Sequence, residues 1–181
     1  MTCFISGGAK SGKSSLAQEL AVALSGGGKR YYVATMLSTG PEDDERIRRH
    51  VADRAGLGFE TLECSARLPD CLERADREGT FLVDSVTALL QNALFPAERD
   101  YAIDADAARR CCRELLAFIA SVGHAVIVSD YIYADAETYT PETETYRRCL
   151  AHLDRQLAAA CDTVVEVSVG QRIVHKGVLP L

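Results

Sequence analysis

The sequence lacks what several large classes of protein require. No apolar stretch approaches the length that spans a bilayer, and the first apolar run is too short for a signal peptide. Positive charge is not in excess: 20 Lys and Arg stand against 26 Asp and Glu, which gives a net charge of −6. Broad nucleic-acid binding needs a basic stripe, which is missing. These absences predict a cytoplasmic protein with no transmembrane segment and no nucleic-acid partner.

Cysteine is frequent, but its spacing fits neither a disulfide framework nor a metal site. The seven cysteines are odd in number and include no C-x-x-C pair. They are scattered through apolar periodicity, at Cys3, Cys64, Cys71, Cys111, Cys112, Cys149 and Cys161. We expect reduced thiols at core and surface positions, and no zinc site.

Strand patterns alternate with helix patterns along the chain. At 181 residues, without a repeat or linker, the sequence predicts a single domain over residues 1–181. Apolar runs such as Phe81-Leu82-Val83 are typical of buried strands, whereas residues 105–121 and 141–160 have the periodicity of amphipathic helices. Less regular patterns predict helices over about 42–55 and 67–77. This alternation indicates a three-layer α/β fold, with a largely parallel sheet and helices on both faces.

The most specific motif lies near the N-terminus. It fits G-x-x-x-x-G-K-[ST] without a mismatch and consists of Gly7, Gly8, Ala9, Lys10, Ser11, Gly12, Lys13 and Ser14. A strand pattern precedes it and a helix pattern follows, so backbone N–H groups and the helix dipole converge on one point. Polyphosphate suits that point, with Lys13 on the β and γ oxygens and the Ser14 hydroxyl on Mg²⁺. A glycine-rich turn that only caps a helix is disfavoured, because strand, spacing, Lys, Ser and helix are all present. We expect a phosphate loop (P-loop) that binds a nucleoside triphosphate.

Two later strands each end in a carboxylate. Asp84 follows an apolar strand and fits the residue that holds Mg²⁺, directly or through water; the alternative is a turn-forming Asp. Asp130 follows another such strand and is a candidate base for an acceptor hydroxyl, although an Asp that caps the next turn explains it equally well. Ligands of α/β sheets bind outside the carboxyl ends of the strands, so the P-loop, Thr35, Asp84 and Asp130 are expected at one edge.

The predicted helix over 42–55 contains an unusual set of side chains. Arg46, His50 and Arg54 recur at intervals of four residues and therefore share one helix face. A solvated charged face with an incidental histidine is one interpretation. In the other, the two guanidiniums disfavour protonation of the imidazole and attract a triphosphate. A neutral imidazole is a competent nucleophile toward phosphorus.

Several further residues match the pattern of a known family from end to end. Besides the P-loop, the matching pieces are Tyr32-Val33-Ala34-Thr35, Arg46-Ile47-x-x-His50 with Arg54, Thr61-x-Glu63, Asp84-x-x-Thr87 with Asn92, and Gly170. With these pieces the chain resembles the bifunctional adenosylcobinamide kinase / adenosylcobinamide-phosphate guanylyltransferases of cobalamin biosynthesis. It departs from the family pattern in the segment after Ser129, where it has Asp130-Tyr131-Ile132-Tyr133 in place of Asn-Glu-Val-Gly.

The resemblance implies a fold, a reaction and a set of site residues. It implies a RecA-like P-loop NTPase fold and a trimeric assembly. It also implies phosphorylation of the aminopropanol hydroxyl of adenosylcobinamide with ATP or GTP, followed by transfer of GMP from GTP. The guanylyl group would be carried by a histidine that matches His50, with Arg46 and Arg54 on the phosphoryl oxygens. Thr35 and Glu63 would join the P-loop in binding nucleotide, and Ser14 and Asp84 would hold Mg²⁺.

Two other functions remain open from the residues alone. A simple small-molecule kinase would leave His50 structural, but its usual Arg-bearing lid is not evident, because residues 130–145 contain no Lys or Arg. A nucleotide-dependent switch ATPase would need loops coupled to a partner, for which the sequence gives no sign.

Overall fold

The computed structural model describes residues 1–133 and 135–181 of the chain. Within them the strands are β1 (Thr2–Gly7), β2 (Arg30–Ala34), β3 (Phe59–Glu63), β4 (Thr80–Asp84), β5 (His124–Asp130), β6 (Thr163–Ser168) and β7 (Gln171–Lys176). The helices are α1 (Lys13–Ser25), α2 (Pro41–Asp53), α3 (Leu68–Cys71), α4 (Val86–Leu94), α5 (Ala105–Ser121) and α6 (Pro141–Ala160), and a short 3-10 helix lies at Ala97–Arg99.

The strands of the described residues form one sheet in the order β3-β2-β4-β5-β1-β6-β7. Neighbouring strands are parallel from β3 to β6, and only the final β6–β7 pair in this sheet is antiparallel. The central strands β4 and β5 are apolar on both faces, as expected of strands that are covered by helices on both sides. The predicted three-layer, largely parallel α/β sheet is confirmed.

Two apolar clusters fill the layers on either side of the sheet. On one face, α1 packs Leu16, Leu20 and two alanines one turn apart against Ile5 and Val126. On the other face, α4, α5 and α6 pack against Phe4, Phe81 and other inward side chains. The helical spacing of leucine and alanine after the P-loop is therefore the pattern that places α1 beneath the phosphate site.

Helices α5 and α6 have the predicted bounds, and like α4 they begin at residues that carry a clear capping signal. The side chain of Ser85 caps α4, that of Asp104 caps α5 and that of Thr140 caps α6, each by accepting a backbone N–H of the first turn. Pro141 occupies the first position of α6, where its missing N–H is harmless.

The helix predicted over 67–77 is wrong for most of its length. Only Leu68–Cys71 is helical, and the chain then continues in turns to β4. Beyond Leu72 the segment is dominated by charged side chains with little apolar surface to bury. Its backbone finds other partners, since the N–H of Asp76 donates to the hydroxyl of Tyr31 at 2.9 Å.

The strand register brings the predicted site to one edge of the sheet. Gly7 at the end of β1 is paired with Asp130 at the end of β5, and Asp84 at the end of β4 is paired with Val128. Ala34, which precedes Thr35, is paired with Asp84. The P-loop, Thr35 and both carboxylates thus lie at the carboxyl ends of neighbouring strands, as the sequence predicted.

Candidate active site

A cavity of about 810 Å³ opens at this edge of the sheet. Its walls come from the P-loop, the ends of β2, β3, β4 and β5, and one side of α2. The predicted site residues that line it are Ala9, Lys10, Ser11, Gly12, Lys13, Ser14, Arg46, His50, Arg54, Glu63, Asp84 and Asp130. A cavity of this size accommodates a nucleotide.

The P-loop geometry explains two of its glycines. Gly12 has φ 98°, a left-handed conformation that favours glycine. A Cβ at Gly7 would collide with the carbonyl oxygen of Val167 on β6, so only glycine lets the two strands approach there. Within the described residues, α1 has neither a side-chain cap nor an acidic residue in its first turn, so its N-terminus is open to an anion.

Lys13 is held inside the loop by two oxygens. Its ammonium donates to the carbonyl of Gly8 at 2.6 Å and lies 2.7 Å from Oδ1 of Asp130. Asp130 is itself oriented from α4, because its backbone N–H donates to the hydroxyl of Thr87 at 2.8 Å. The carboxylate thus balances the lysine charge at the point where polyphosphate oxygens would bind.

A second polar cluster joins three residues that are far apart in sequence. The hydroxyl of Tyr32 donates to Oδ2 of Asp84 at 2.9 Å, and Nδ1 of His50 lies 3.9 Å from the same oxygen. Burial, reinforced by the charge of Asp84, raises the pKa of Tyr32 far above its usual range. Nδ1 of His50 is buried and has no hydrogen-bond partner among the described residues. The imidazole therefore faces Asp84 within the nucleotide-sized cavity.

Arg54 links α2 to the sheet. Its guanidinium carbon lies 4.1 Å from the centre of the Tyr32 ring, and Nη2 donates to the hydroxyl of Thr61 on β3 at 3.1 Å. Arg46 and Glu63 also line the cavity, so its wall contains both positive and negative groups. These contacts hold the helix face that carries His50 over the ends of the strands.

Comparison with known proteins identifies the family. The family model described as cobinamide kinase / cobinamide phosphate guanyltransferase matches residues 3–174. The chain belongs to this family. Cobinamide kinase / cobinamide phosphate guanyltransferases are transferases that use nucleotides, and the P-loop and cavity described above fit that chemistry. No curated protein matches the chain significantly in sequence.

Solved structures with the same fold are distant in sequence. The "ATPase Domain of G40P" is 10% identical with a TM-score of 0.54, over 97% of this chain and 76% of that chain. Flagellar accessory protein FlaH from Methanocaldococcus jannaschii is 13% identical with a TM-score of 0.50, over 99% and 79%. PH0250 from Pyrococcus horikoshii OT3 is 11% identical with a TM-score of 0.53, over 98% and 86%. These likenesses concern the fold alone, which is that of RecA-like P-loop NTPases.

In this chain, Thr35 lies beneath the cavity and not in its lining. Its side chain is fully buried, and its hydroxyl donates to the carbonyl of Ser85 at 2.8 Å and accepts the Ser85 N–H at 2.7 Å. Asn92 on α4 donates to the carbonyls of both Thr35 and Ser65 at 2.8 Å. This network fixes the backbone that follows Asp84 and Glu63, and we predict that Thr35 positions the site without touching nucleotide.

The cavity offers oxygen ligands suited to magnesium when nucleotide is present. No cluster of three or more His, Cys, Asp or Glu side chains in the described parts of the chain lies close enough to hold an ion alone. Magnesium in nucleotide sites is bound by one or two protein oxygens together with phosphate oxygens and water. The hydroxyl of Ser14 and the carboxylate of Asp84 both line the cavity and fit that donor set.

Sequence reasoning did not place Tyr32 in the site. Its position within the apolar strand β2 suggests a core residue, and most of its ring is indeed buried. The sequence signal that could have found it is its hydroxyl, because a buried tyrosine hydroxyl needs a hydrogen-bond partner and here finds Asp84.

Among the described residues, no helix has both the length and the apolarity to cross a membrane.

Proposed function

We propose that this enzyme phosphorylates the aminopropanol hydroxyl of adenosylcobinamide with ATP or GTP. It then transfers GMP from GTP to the new phosphate and yields adenosylcobinamide-GDP and pyrophosphate. The family membership supports both activities. The observation that carries the finer proposal is the position of His50, which lines the same cavity as Lys13 and Ser14 of the P-loop.

In the kinase step, the acceptor oxygen attacks the γ-phosphorus and the nucleoside diphosphate leaves. Lys13 and the open N-terminus of α1 offset the charge on the transferring phosphoryl group. Phosphate oxygens would replace Asp130 as the partner of Lys13, and the released carboxylate would accept the proton of the attacking hydroxyl. Magnesium held by Ser14, Asp84 and phosphate oxygens would neutralise further negative charge.

In the guanylyl step, an imidazole nitrogen of His50 attacks the α-phosphorus of GTP and pyrophosphate leaves. Because Nδ1 faces Asp84, a proton on Nδ1 would be oriented toward the carboxylate and Nε2 would keep its lone pair for attack. Arg46 and Arg54 would stabilise the charged oxygens of the phosphoramidate. The phosphate of the acceptor then attacks the same phosphorus, and His50 leaves as the neutral imidazole.

Labelling with GTP that carries radioactive α-phosphate tests this assignment. We expect acid-labile label on the wild-type protein, and mass spectrometry should place a GMP-sized adduct on His50. The His50→Ala variant should remain unlabelled but retain phosphoryl transfer to adenosylcobinamide. The exposed His152 on α6 provides the matched control, because His152→Ala should label like wild type. Label on the His50→Ala variant would reject His50 as the carrier.

We also infer that the enzyme acts as a homo-oligomer, a trimer by family resemblance, in the cytoplasm. The edge strand β7 supports an assembly, since every residue in it is exposed and Ile173 and Val174 present apolar surface. Sedimentation equilibrium of the purified protein tests the oligomeric state. A monomer at micromolar concentration would contradict the proposal.

A further inference from the structure

Two cysteines line a second, smaller pocket that shares Glu63 with the main cavity. Cys64 directly follows β3, and Cys71 is the last residue of α3. Both side chains contribute to a surface pocket of about 300 Å³ that is also lined by Arg67, Asp70 and Arg74. Cys64 is 7% exposed, whereas Cys71 is fully buried. A small solute in this pocket therefore reaches Cys64 first.

A hydrogen bond ties Cys64 to the segment that contains Cys71. The thiol of Cys64 donates to the carbonyl of Arg67 at 3.2 Å, and Arg67 precedes the helical turn that ends at Cys71 in the lining of the same pocket. Cys64 is the more exposed of the two thiols, and the neighbouring Cys71 lowers its pKa. Cys64 is thus the thiol that a solute meets first, with Cys71 beside it as the resolving thiol.

The other cysteines of the core lack this combination. Cys3 and Cys161 are neighbours in the fold, but both are fully buried, and burial raises the pKa of each to about 11. Burial likewise raises the pKa of Cys111 to about 12. These thiols are the internal reference for an unreactive cysteine in the same protein.

We propose that Cys64 and Cys71 form an oxidation site at which hydroperoxides produce a reversible disulfide. The Cys64 thiolate attacks the terminal oxygen of the hydroperoxide, the O–O bond breaks, and water or an alcohol leaves. The Cys71 sulfur then attacks the sulfur of the resulting Cys64 sulfenic acid and the S–O bond breaks. The sulfenic hydroxyl leaves with the Cys71 proton as one molecule of water. Two thiols are oxidised by two electrons, one hydroperoxide is reduced, and a dithiol reductant reverses the change.

The disulfide would act on the nucleotide cavity through the backbone. A disulfide bond of about 2.0 Å is much shorter than the contact between two separate sulfurs, so we expect oxidation to draw the two chain segments toward each other. Cys64 is adjacent to Glu63 of the cavity wall, and its N–H is bonded to the carbonyl of Ala34 at 2.9 Å. The next residue, Ser65, is tied through Asn92 to Thr35. We expect oxidation to weaken nucleotide binding several-fold, an expectation that rests on the nucleotide site proposed above.

Peptide mapping tests the oxidation site independently of activity. The full-length protein is treated with hydrogen peroxide, free thiols are alkylated under denaturing conditions, and the digest is analysed without reduction. We expect a Cys64–Cys71 linked peptide, while Cys3 and Cys161 remain fully alkylated. In the Cys71→Ser variant, dimedone should trap a sulfenic acid on Cys64. In the Cys64→Ser variant, dimedone should trap no sulfenic acid on Cys71. Free Cys64 and Cys71 after treatment, or equally fast oxidation of Cys3 and Cys161, would overturn the proposal.

Binding of a fluorescent GTP analogue tests the consequence. Oxidised wild type should bind several-fold more weakly than the reduced protein, and dithiothreitol should restore the affinity. Peroxide-treated Cys71→Ser, which cannot form the disulfide, should bind like its untreated form. Equal affinity of oxidised and reduced wild type would overturn the effect on the cavity. Failure of the reduced protein to bind any nucleotide would instead reject the proposed function, and the mapped disulfide would stand.

Discussion

Helices α1 and α2 both line the main cavity, yet they are held in place by different means. Helix α1 buries Leu16, Leu20 and two alanines in the core against β1 and β5. Helix α2, all of whose residues are described, has no buried side chain, and Val51 in its apolar row is 49% exposed. Side-chain contacts such as that of Arg54 with Tyr32 hold it instead. The proposed site thus combines a P-loop half that core packing fixes, called here the fixed half, with a histidine-bearing half that polar contacts hold.

The largest effect is expected in the fixed half. Lys13→Ala removes the ammonium that lies within the P-loop, so phosphate charge is left unbalanced during transfer. We expect triphosphate turnover to fall by at least on the order of 10²-fold, as when one electrostatic donor is removed from an active site. Steady-state kinetics measures this loss, and circular dichroism should report an intact fold. Lys29→Ala, which removes an exposed lysine outside the cavity, should leave turnover unchanged. Unaltered turnover in Lys13→Ala would contradict the site assignment.

Paired truncations of apolar side chains test the packing difference directly. Leu16 on α1 is 2% exposed, so Leu16→Ala should lower the free energy of unfolding by about 2–5 kcal/mol. Val51→Ala on α2 should change it by no more than about 0.5 kcal/mol, since a half-exposed valine contributes little and alanine favours helix. Urea denaturation monitored by circular dichroism gives both values. Equal destabilisation by the two substitutions would show that α2 is packed as firmly as α1.

The core beside the fixed half contains a buried carboxylate whose ionisation should affect stability. Burial raises the pKa of Asp154 on α6 to about 6, although the hydroxyl of Tyr133 donates to it at 2.9 Å. The folded protein therefore binds this proton more tightly than the unfolded chain does. As pH rises from about 4 to about 6, the unfolded chain loses the proton first, and the fold is destabilised by up to about 3 kcal/mol.

Substitution of Asp154 by asparagine isolates this contribution. Asp154→Asn keeps an acceptor for Tyr133 but cannot ionise, so its stability relative to wild type should rise between pH 4 and pH 7. Thermal unfolding of both proteins across this range measures the difference. A difference that does not vary with pH would mean that Asp154 titrates as it does in the unfolded chain.

The fixed half could be predicted from the sequence because its signals are local. The P-loop motif, the apolar strands before Asp84 and Asp130, and the spacing of Leu16 and Leu20 each lie within a few consecutive residues. A parallel sheet then places the ends of its strands at one edge whatever their order. These features predicted the fold class, which is confirmed, and a phosphate site, without any knowledge of long-range contacts.

The rest of the site depends on contacts that no local pattern reports. Strand order brings β2 beside β4, and this neighbour relation lets Tyr32 reach Asp84. Thr35 follows the end of a strand as expected, but its hydroxyl is hydrogen-bonded to the backbone of Ser85 and is not free to contact a ligand. The periodicity of α2 predicted its helix and not its exposure, because the pattern does not say whether a partner surface is within reach. The position of His50 relative to Asp84 likewise required the folded chain.

The smallest effect is expected where the two halves meet, at the ring of Tyr32. Its hydroxyl donates a hydrogen bond to Asp84 in the fixed half, and the guanidinium of Arg54 lies over its ring. Tyr32→Phe removes the hydrogen bond but keeps the ring, so we expect a loss of about 1 kcal/mol in the free energy of unfolding. Guanylylation of His50 should also slow, because Asp84 loses the donor that fixes its carboxylate beside the imidazole.

The adjacent tyrosine gives a matched control for that prediction. Tyr31 is buried on the opposite face of β2, and its hydroxyl accepts the Asp76 N–H at 2.9 Å, away from the cavity. Tyr31→Phe should therefore lower stability by a similar amount and leave the rate of guanylylation unchanged. Denaturation and single-turnover labelling with GTP measure the two quantities on each variant. If both variants slow guanylylation equally, the effect of Tyr32 acts through general stability, and its bond to Asp84 has no separate part in orienting the site.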